Sequence, residues 1–422
     1  MKNIVLAATS ITRKLRLLGF AAAVALLAAA AIAGQEPDET RGAPAEPADA
    51  AEIRAQMAIA ESLISKTHDR GAILYFLAVS HALLHETLPA IQQLKECLAL
   101  REGFDPTNEN AFAGLKASSD FKPLLEQVHK DFPAVKESHV AFTTTEKDLF
   151  PEGLAYDPGN DSLYLSSMYH RKIVKISRDG KMEDFVASDR YNLLPVQGIR
   201  IDPSDQTIWS ASSRDDLGKS ELLHFDRAGV LLGRYPATDE GKHDFNDLVV
   251  LRNGSVLLTD TLANRVYRFD AKSGAFTAVR LTRQVLFPNG IAVTDDEKFV
   301  YVADQLGVMR IDLQSGESAE VDPGARNTLA GIDGLYWHKG SLVAVQNGIG
   351  TPRVATFRLS PDGLHVGKAV VLENGLTTPT TGALRGDDFY FIVNSEIDNL
   401  NGEHILDMTR LKPVRIAVVH LP

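Results

Sequence analysis

FPEGLAYD, residues 150–157, returns five more times along the chain in altered form: PVQGIRID (195–202), DFNDLVVL (244–251), FPNGIAVT (287–294), GIDGLYWH (331–338) and TTGALRGD (380–387). In each copy a polar residue stands immediately before Gly or Asp. These positions are Glu152, Gln197, Asn246, Asn289, Asp333 and Thr381, spaced 45, 49, 43, 44 and 48 residues apart. A period of about 40–50 residues built from several short strands is the mark of a β-propeller.

Each copy is followed by a second apolar run: SLYLSS, TIWSAS, SVLLTD, FVYVAD, SLVAVQ and DFYFIVN. These end in step at Ser167, Ser212, Asp260, Asp304, Gln346 and Asn394. Third runs such as LLHFDRAG and VMRIDLQSG close on Asp-x-x-Gly-like turn chemistry. Six repeats predict a mainly β fold, a six-bladed β-propeller over 138–422. The last run, PVRIAVVHLP (413–422), needs a partner, and the early run HVAFTTT (139–145) is the natural one. Pairing the two closes the ring and leaves no open edge.

The remaining third of the chain reads differently. A basic segment ending at Arg16 is followed by an apolar stretch over 17–33 that closes on Ala31-Ile32-Ala33. That layout is a secretory signal peptide cut after Ala33, so the mature protein is expected to be periplasmic or secreted, without a membrane span. Residues 34–50, rich in Pro, Ala and acids, read as a disordered linker. Residues 51–133 carry helical periodicity and form the small all-α part of the fold. AILYFLAVSHALL and TLPAIQQLKECLAL, joined by His85-Glu86, resemble one tetratricopeptide repeat, with a degenerate second unit in ENAFAGLKASSDFKPLLEQVHKDF. So short an array does not stand alone, and is expected to dock on the propeller or on a protein partner.

The formal net charge is −11, and the leader carries four bases and no acid, so the rest of the chain is more acidic still. This balance excludes a nucleic-acid footprint. The lone cysteine, Cys97, falls on an apolar helical position, which predicts a buried thiol rather than a nucleophile.

In a propeller the first strand of each blade lines the central channel, so the six repeated polar residues converge on the axis. Glu152, Asn246, Asn289 and Asp333 bring two carboxylates and two amide oxygens. That set suits a hard divalent cation, Ca²⁺ first, with Zn²⁺ or Mn²⁺ as alternatives that lack their preferred His or Cys ligands here. Gln197 and Thr381 line the remaining wall as substrate-contact positions. His170, after the second run of the first repeat, is a further substrate-contact candidate at the mouth. Asp247, where other repeats have Gly, either binds backbone or serves a second, structural ion.

FPEGLAYD, FPNGIAVTDDEKFVYVAD and GIDGLYW resemble motifs of the regucalcin/gluconolactonase/luciferin-regenerating-enzyme family of six-bladed propellers, over roughly 145–400. The resemblance implies that Glu152, Asn289 and Asp333 hold one divalent metal, with Asn246 beside it. It also implies hydrolysis of a small-molecule lactone or ester, the metal polarising the carbonyl and Asp333 accepting a proton. Where gluconolactonases commonly carry Arg-Pro-Asn-Asp-Gly, this chain has Asp244-Phe245-Asn246-Asp247-Leu248, an aspartate in place of the sugar-contacting arginine. The other reading is a periplasmic binding or scaffold protein with a structural metal, recruiting its partner through 51–133.

Overall fold

The computed structural model describes residues 50–214 and 217–422. The expected leader, and residues 34–49 of the expected linker, lie outside the described residues. No helix among the described residues is long and apolar enough to cross a membrane.

The propeller unit comprises Ala134–Val321, Ile332–Asn347 and Pro352–Pro422. Its first strand, β1 (His139–Thr143), belongs to the last blade. Blade 1 is β2 (Leu154–Asp157), β3 (Ser162–Ser167), β4 (Lys172–Ile176) and β5 (Met182–Val186). Blade 2 is β6 (Val196–Ile201), β7 (Ile208–Arg214), β8 (Lys219–Phe225) and β9 (Leu231–Pro236). Blade 3 is β10 (Phe245–Val250), β11 (Val256–Asp260), β12 (Arg265–Asp270) and β13 (Ala275–Ala278). Blade 4 is β14 (Ile291–Val293), β15 (Phe299–Asp304), β16 (Gly307–Asp312) and β17 (Ser318–Glu320). Blade 5 is β18 (Ile332–His338), β19 (Ser341–Gln346), β20 (Arg353–Leu359) and β21 (Val366–Asn374).

Blade 6 holds β22 (Gly382–Arg385) and β23 (Asp388–Ile392). A small hairpin, β24 (Leu400–Asn401) and β25 (His404–Ile405), interrupts it before β26 (Arg415–His420). Its order is β22-β23-β26-β1, so the chain's two ends close the ring by antiparallel pairing, His139 opposite Val418 and Thr143 opposite Arg415. The expected closure is the observed one.

The apolar pattern follows position in the blade. The second strands β3, β11 and β19 bury almost every residue, whereas the outer strands β9 and β13 are largely exposed or alternate. The core is a series of layers between neighbouring blades, such as Leu165, Val174, Ile392 and Ile416 between blades 1 and 6, and Trp209, Leu222, Leu258 and Phe269 between blades 2 and 3. The Asp-x-x-Gly turns form as read. Asp226 accepts from the N–H groups of Ala228 and Val230, and Gly229 takes φ 76°, a conformation only glycine holds cheaply.

The helical unit contains α1 (Ala50–Leu63), α2 (Arg70–Leu83), α3 (Thr87–Ala99) and α4 (Phe121–Asp131), with the loop segments Asp322–Gly331 and Gly348–Thr351. The apolar run of α2 is buried nearly all round, as a central helix must be. Tyr75 stacks on Phe104 and meets Phe112 edge-on. Cys97 is fully buried, its thiol against the Gly71 carbonyl, and burial pushes its pKa well up. Residues Asn110–Leu115, read as helical, form a 3-10 turn instead, entered through the Glu109 carboxylate bonded to Ala111 N–H. Asp69, fully buried, accepts from Thr328 Oγ1 and from the N–H groups of Leu329 and Ala330, at 2.6, 2.8 and 3.1 Å.

Candidate functional site

The six repeated positions form a ring. Each sits at the start of an inner strand or one to two residues before it, and inner strands of successive blades pack on one another. The glycine after the polar residue is explained by that packing. A Cβ on Gly153 would collide with the Gln197 carbonyl, one on Gly198 with the Asn246 carbonyl, and one on Gly290 with the Asp333 carbonyl. One on Gly334 would press on Thr381. Thr381 Oγ1 donates to the Glu152 carbonyl at 2.5 Å and completes the circuit.

Register shifts fall on the same pairs, between Val196 and Ile199, Phe245 and Leu248, and Ile332 and Leu335. These bulges free Gln197, Asn246 and Asp333 from the ladder and re-aim them, as bulges beside functional sites commonly do. Two further positions are delivered by a strained turn. Phe150 and Phe287, each two residues before Glu152 or Asn289, hold φ of 46° and 49°. Bulky residues rarely adopt that conformation, and such strain concentrates at functional sites.

The second set of repeated polar residues anchors the loops that enter the ring. Ser167 Oγ donates to the Leu149 carbonyl and Ser212 Oγ to the Leu194 carbonyl. Asp260 accepts from Asp244 N–H, and Asp304 from Leu286 N–H. Asn394 pairs with Thr378 through the backbone, in an isolated parallel bridge. Each partner lies two or three residues ahead of a ring residue, so the side chains of Ser167, Ser212, Asp260 and Asp304 fix four of the loops that present the ring.

Asp333 is buried, and burial pushes its carboxyl up to about 7, against lowering hydrogen bonds from Asn347 and Asn289. Asn347 Nδ2 donates to Asp333 Oδ2 at 2.6 Å. Asp333 Oδ1, Asn289 Oδ1 and Gln197 Oε1 are buried with no hydrogen-bond donor among the described residues. A buried acceptor left unmatched costs about 1–3 kcal/mol, so three in one ring call for a bound ion or ordered water. The donors are all oxygen and include the buried carboxylates Glu152 and Asp333. They fit a hard divalent cation.

Asn246 Nδ2 lies 3.3 Å from Thr261 Oγ1, an orientation that keeps its carbonyl oxygen available. Gln197 Nε2 donates to Asp244 Oδ1 at 3.2 Å, so the aspartate in the arginine's place holds a ring side chain.

Asp247 binds the backbone, with an arginine added. Arg200 Nη2 donates to its Oδ2 at 2.8 Å, and the N–H groups of Leu248 and Ile291 donate to the same carboxylate. His170 lies in a separate trio with Glu146 and Asp148, whose ligand atoms fall within 4.8 Å of one another. His170 Nε2 is 3.1 Å from Asp148 Oδ2. An ammonium already supplies positive charge there, because Lys172 Nζ lies 2.8 and 2.9 Å from the Glu146 oxygens.

Sequence reasoning missed Asn347, Arg200 and Tyr336. Arg200 and Tyr336 each stand three residues beyond a ring residue, on strands whose bulges decide which later residues face inward. Asn347 follows the last residue of a second strand, where no repeat marks it.

A model of the SMP-30/Gluconolactonase/LRE-like region matches residues 150–366, just over half of the chain. No curated protein sequence matches the chain significantly. Among solved structures, a gluconolactonase from Xanthomonas campestris is similar at 16% identity, covering 68% of this chain and 89% of that one, with a TM-score of 0.45. An aldose sugar dehydrogenase from Streptomyces coelicolor in its PQQ-bound form gives 14% identity, 68% and 98% coverage, and 0.48. A catalytically inactive form of virginiamycin B lyase from Staphylococcus aureus with quinupristin gives 15%, 67% and 98%, and 0.47. Those neighbours differ in chemistry, whereas the matched region begins at Phe150 and takes in five of the six ring residues, and on that match the chain belongs to the SMP-30/gluconolactonase/LRE-like family.

Proposed function

We propose that this protein is a divalent-metal-dependent hydrolase of small lactones or esters, acting at the ring on the propeller axis. The observation that carries the reading is the ring's set of buried oxygens without donors, centred on Asp333, in a chain of this family. Glu152, Asn246, Asn289 and Asp333 would hold the ion, and Ca²⁺ is the ion their chemistry favours. Such an ion, when bound, supplies a Lewis acid for the substrate carbonyl and stabilises the charge that develops on its oxygen.

The protein's own part is proton handling and placement. Asn347 fixes the Asp333 carboxylate through Oδ2, leaving Oδ1 without a donor. Held in this way, the carboxylate is placed to act as general base, and a divalent cation bound beside it would keep it ionised. Asp333 takes a proton from the attacking water as its oxygen bonds to the carbonyl carbon. The same proton passes to the leaving alkoxide oxygen as the C–O bond of the lactone or ester breaks. Gln197 and Thr381 complete the wall that the substrate meets.

The test is hydrolysis of a lactone and ester panel by the protein after metal removal, with Ca²⁺, Mn²⁺ or Zn²⁺ added back. Turnover restored by metal and cut at least about 100-fold by Asp333→Ala is the expected result. Bound metal with no turnover on any substrate overturns the hydrolase and leaves a binding protein with a structural ion. In that case 51–133 becomes the first place to seek its partner.

A further inference from the structure

The channel has a second polar layer beyond the ring. Arg200 on β6 and Tyr336 on β18 stand three residues further along their strands than Gln197 and Asp333. The Arg200 guanidinium lies over the Tyr336 ring, 5.1 Å from its centroid. It donates to Asp247 Oδ2 at 2.8 Å and to the Ile199 carbonyl at 2.9 Å. Only 15% of the arginine side chain and 2% of the aspartate are exposed. Arg200, Asp247 and Tyr336 therefore form a floor built from facing blades.

This floor reaches the backbone behind every proposed metal ligand. Asp247 follows Asn246 directly in β10. Its Oδ2 receives Ile291 N–H at 3.4 Å, two residues from Asn289. Its own N–H donates to Thr259 Oγ1 at 3.1 Å, and that hydroxyl donates to the Asn289 carbonyl at 2.7 Å. On the opposite side Tyr336 shares β18 with Asp333. The Tyr336 hydroxyl accepts from Gly382 N–H at 2.7 Å, and the neighbouring Thr381 hydroxyl bonds the Glu152 carbonyl. One guanidinium thus ties the Asn246 and Asn289 half of the ring to the Asp333 and Glu152 half.

We propose that Arg200 is a positioning residue whose bridge between Asp247 and Tyr336 sets the spacing of the ring ligands, and with it the affinity and size preference of the ring for divalent cations. The physical ground is that selectivity among hard cations depends on cavity size and rigidity, and that groups holding the ligands change affinity about 10–100-fold when removed. A planar fork stacked on an aromatic ring holds two partners at fixed angles, which an ammonium does not. The inference rests on the ring being a metal site.

The test measures binding of Ca²⁺ and Mn²⁺ alone by calorimetry, with melting temperatures, for wild type, Arg200→Lys, Arg200→Met and Tyr336→Phe. The expected result is a loss of Ca²⁺ affinity of at least about tenfold in Arg200→Met, a smaller loss in Arg200→Lys, and a changed Ca²⁺-to-Mn²⁺ ratio in both. Tyr336→Phe keeps the ring under the guanidinium and shows the smallest shift. Folded variants that melt lower yet keep wild-type affinities and ratio would overturn the proposal, since a purely structural floor behaves that way. Should Arg200→Met fail to fold, Arg200→Lys and Tyr336→Phe decide by the same criterion. Wild-type protein that binds neither ion defeats the metal reading itself and this inference with it, an outcome distinct from unchanged affinities in the variants.

Discussion

Ring and floor are drawn from neighbouring residues of the same inner strands, yet their chemistry is opposite. In the ring, Asp333 Oδ1, Asn289 Oδ1 and Gln197 Oε1 are buried and lack donors among the described residues. In the floor, Asp247 is matched by one guanidinium and two backbone N–H groups, and Tyr336 accepts from Gly382. The floor is internally neutral and satisfied, and the ring is not. An open layer of this kind is where a bound ion or ordered water finds its partners. Two aspartates in adjacent layers draw the same contrast at one residue each, since burial raises both Asp247 and Asp333 but only Asp247 has a cation of its own.

The contrast breaks most visibly if the floor proves dispensable. Arg200→Met leaves Asp247 buried with no cation beside it, and removing one partner of a buried pair costs about 3–5 kcal/mol. Chemical denaturation should show that loss. The double variant Arg200→Met, Asp247→Asn should recover much of it, because the stranded charge is gone. A single variant within about 1 kcal/mol of wild type, roughly the scatter of surface substitutions, would mean that the pair is not coupled as drawn.

The ring carboxylate Asp333 should respond with the opposite sign. Asp333 has a folded pKa of about 7 against 3.8 for the ordinary carboxyl. The folded state therefore holds the proton more tightly. The resulting stabilisation is complete below pH 3.8 and is lost as pH rises through about 7. Metal-free protein should be less stable at about pH 8 than at about pH 5, with a ring contribution on the order of 2–4 kcal/mol. Asp304, raised to about 7, and Asp69, raised to about 6, push in the same direction. Asp333→Asn isolates the ring's share, since it should stabilise the metal-free protein at the higher pH and change little at the lower. Added Ca²⁺ should stabilise wild type more at the higher pH, where the carboxylate is ionised, and should lose that effect in Asp333→Asn. Melting curves at both pH values, with and without chelator, check all three.

What the sequence showed of this depends on how local each cause is. The six-fold repeat was legible because the glycines after Glu152, Gln197, Asn289 and Asp333 answer to a contact that recurs from blade to blade, the backbone of the next one. Ring closure by β1 and β26 was legible because an unpaired last strand needs a partner. Arg200 and Tyr336 were not, since their crossing of the channel depends on bulges at Gln197-Gly198 and Asp333-Gly334 that shift which later residues face inward. Asp69 and Thr328 are 259 residues apart, and no periodicity links them. His170 was placed on the correct loop, but its carboxylate partners Glu146 and Asp148 come from outside the repeat, so its pairing was invisible.

The smallest expected effect comes from adding one carbon between the layers. Gly290 has no special backbone requirement, and its slot is restricted by neighbours alone. A Cβ there would stand against the Asp333 carbonyl oxygen and the Leu335 nitrogen, both backbone atoms that no rotamer change can move aside. Gly290→Ala should therefore cost about 1–3 kcal/mol, as overpacking does. The strain falls on the strand that carries Asp333, so Ca²⁺ affinity should drop together with the melting temperature. Gly386→Ala is the control. Its φ of 61° is strained for alanine, but nothing lies within 4 Å of the added carbon. It should lower the melting temperature and leave Ca²⁺ affinity unchanged. Equal affinity in both variants would show that the ring tolerates displacement of the Asp333 backbone. The dense packing of glycine against carbonyl would then serve blade assembly and not the geometry of the site.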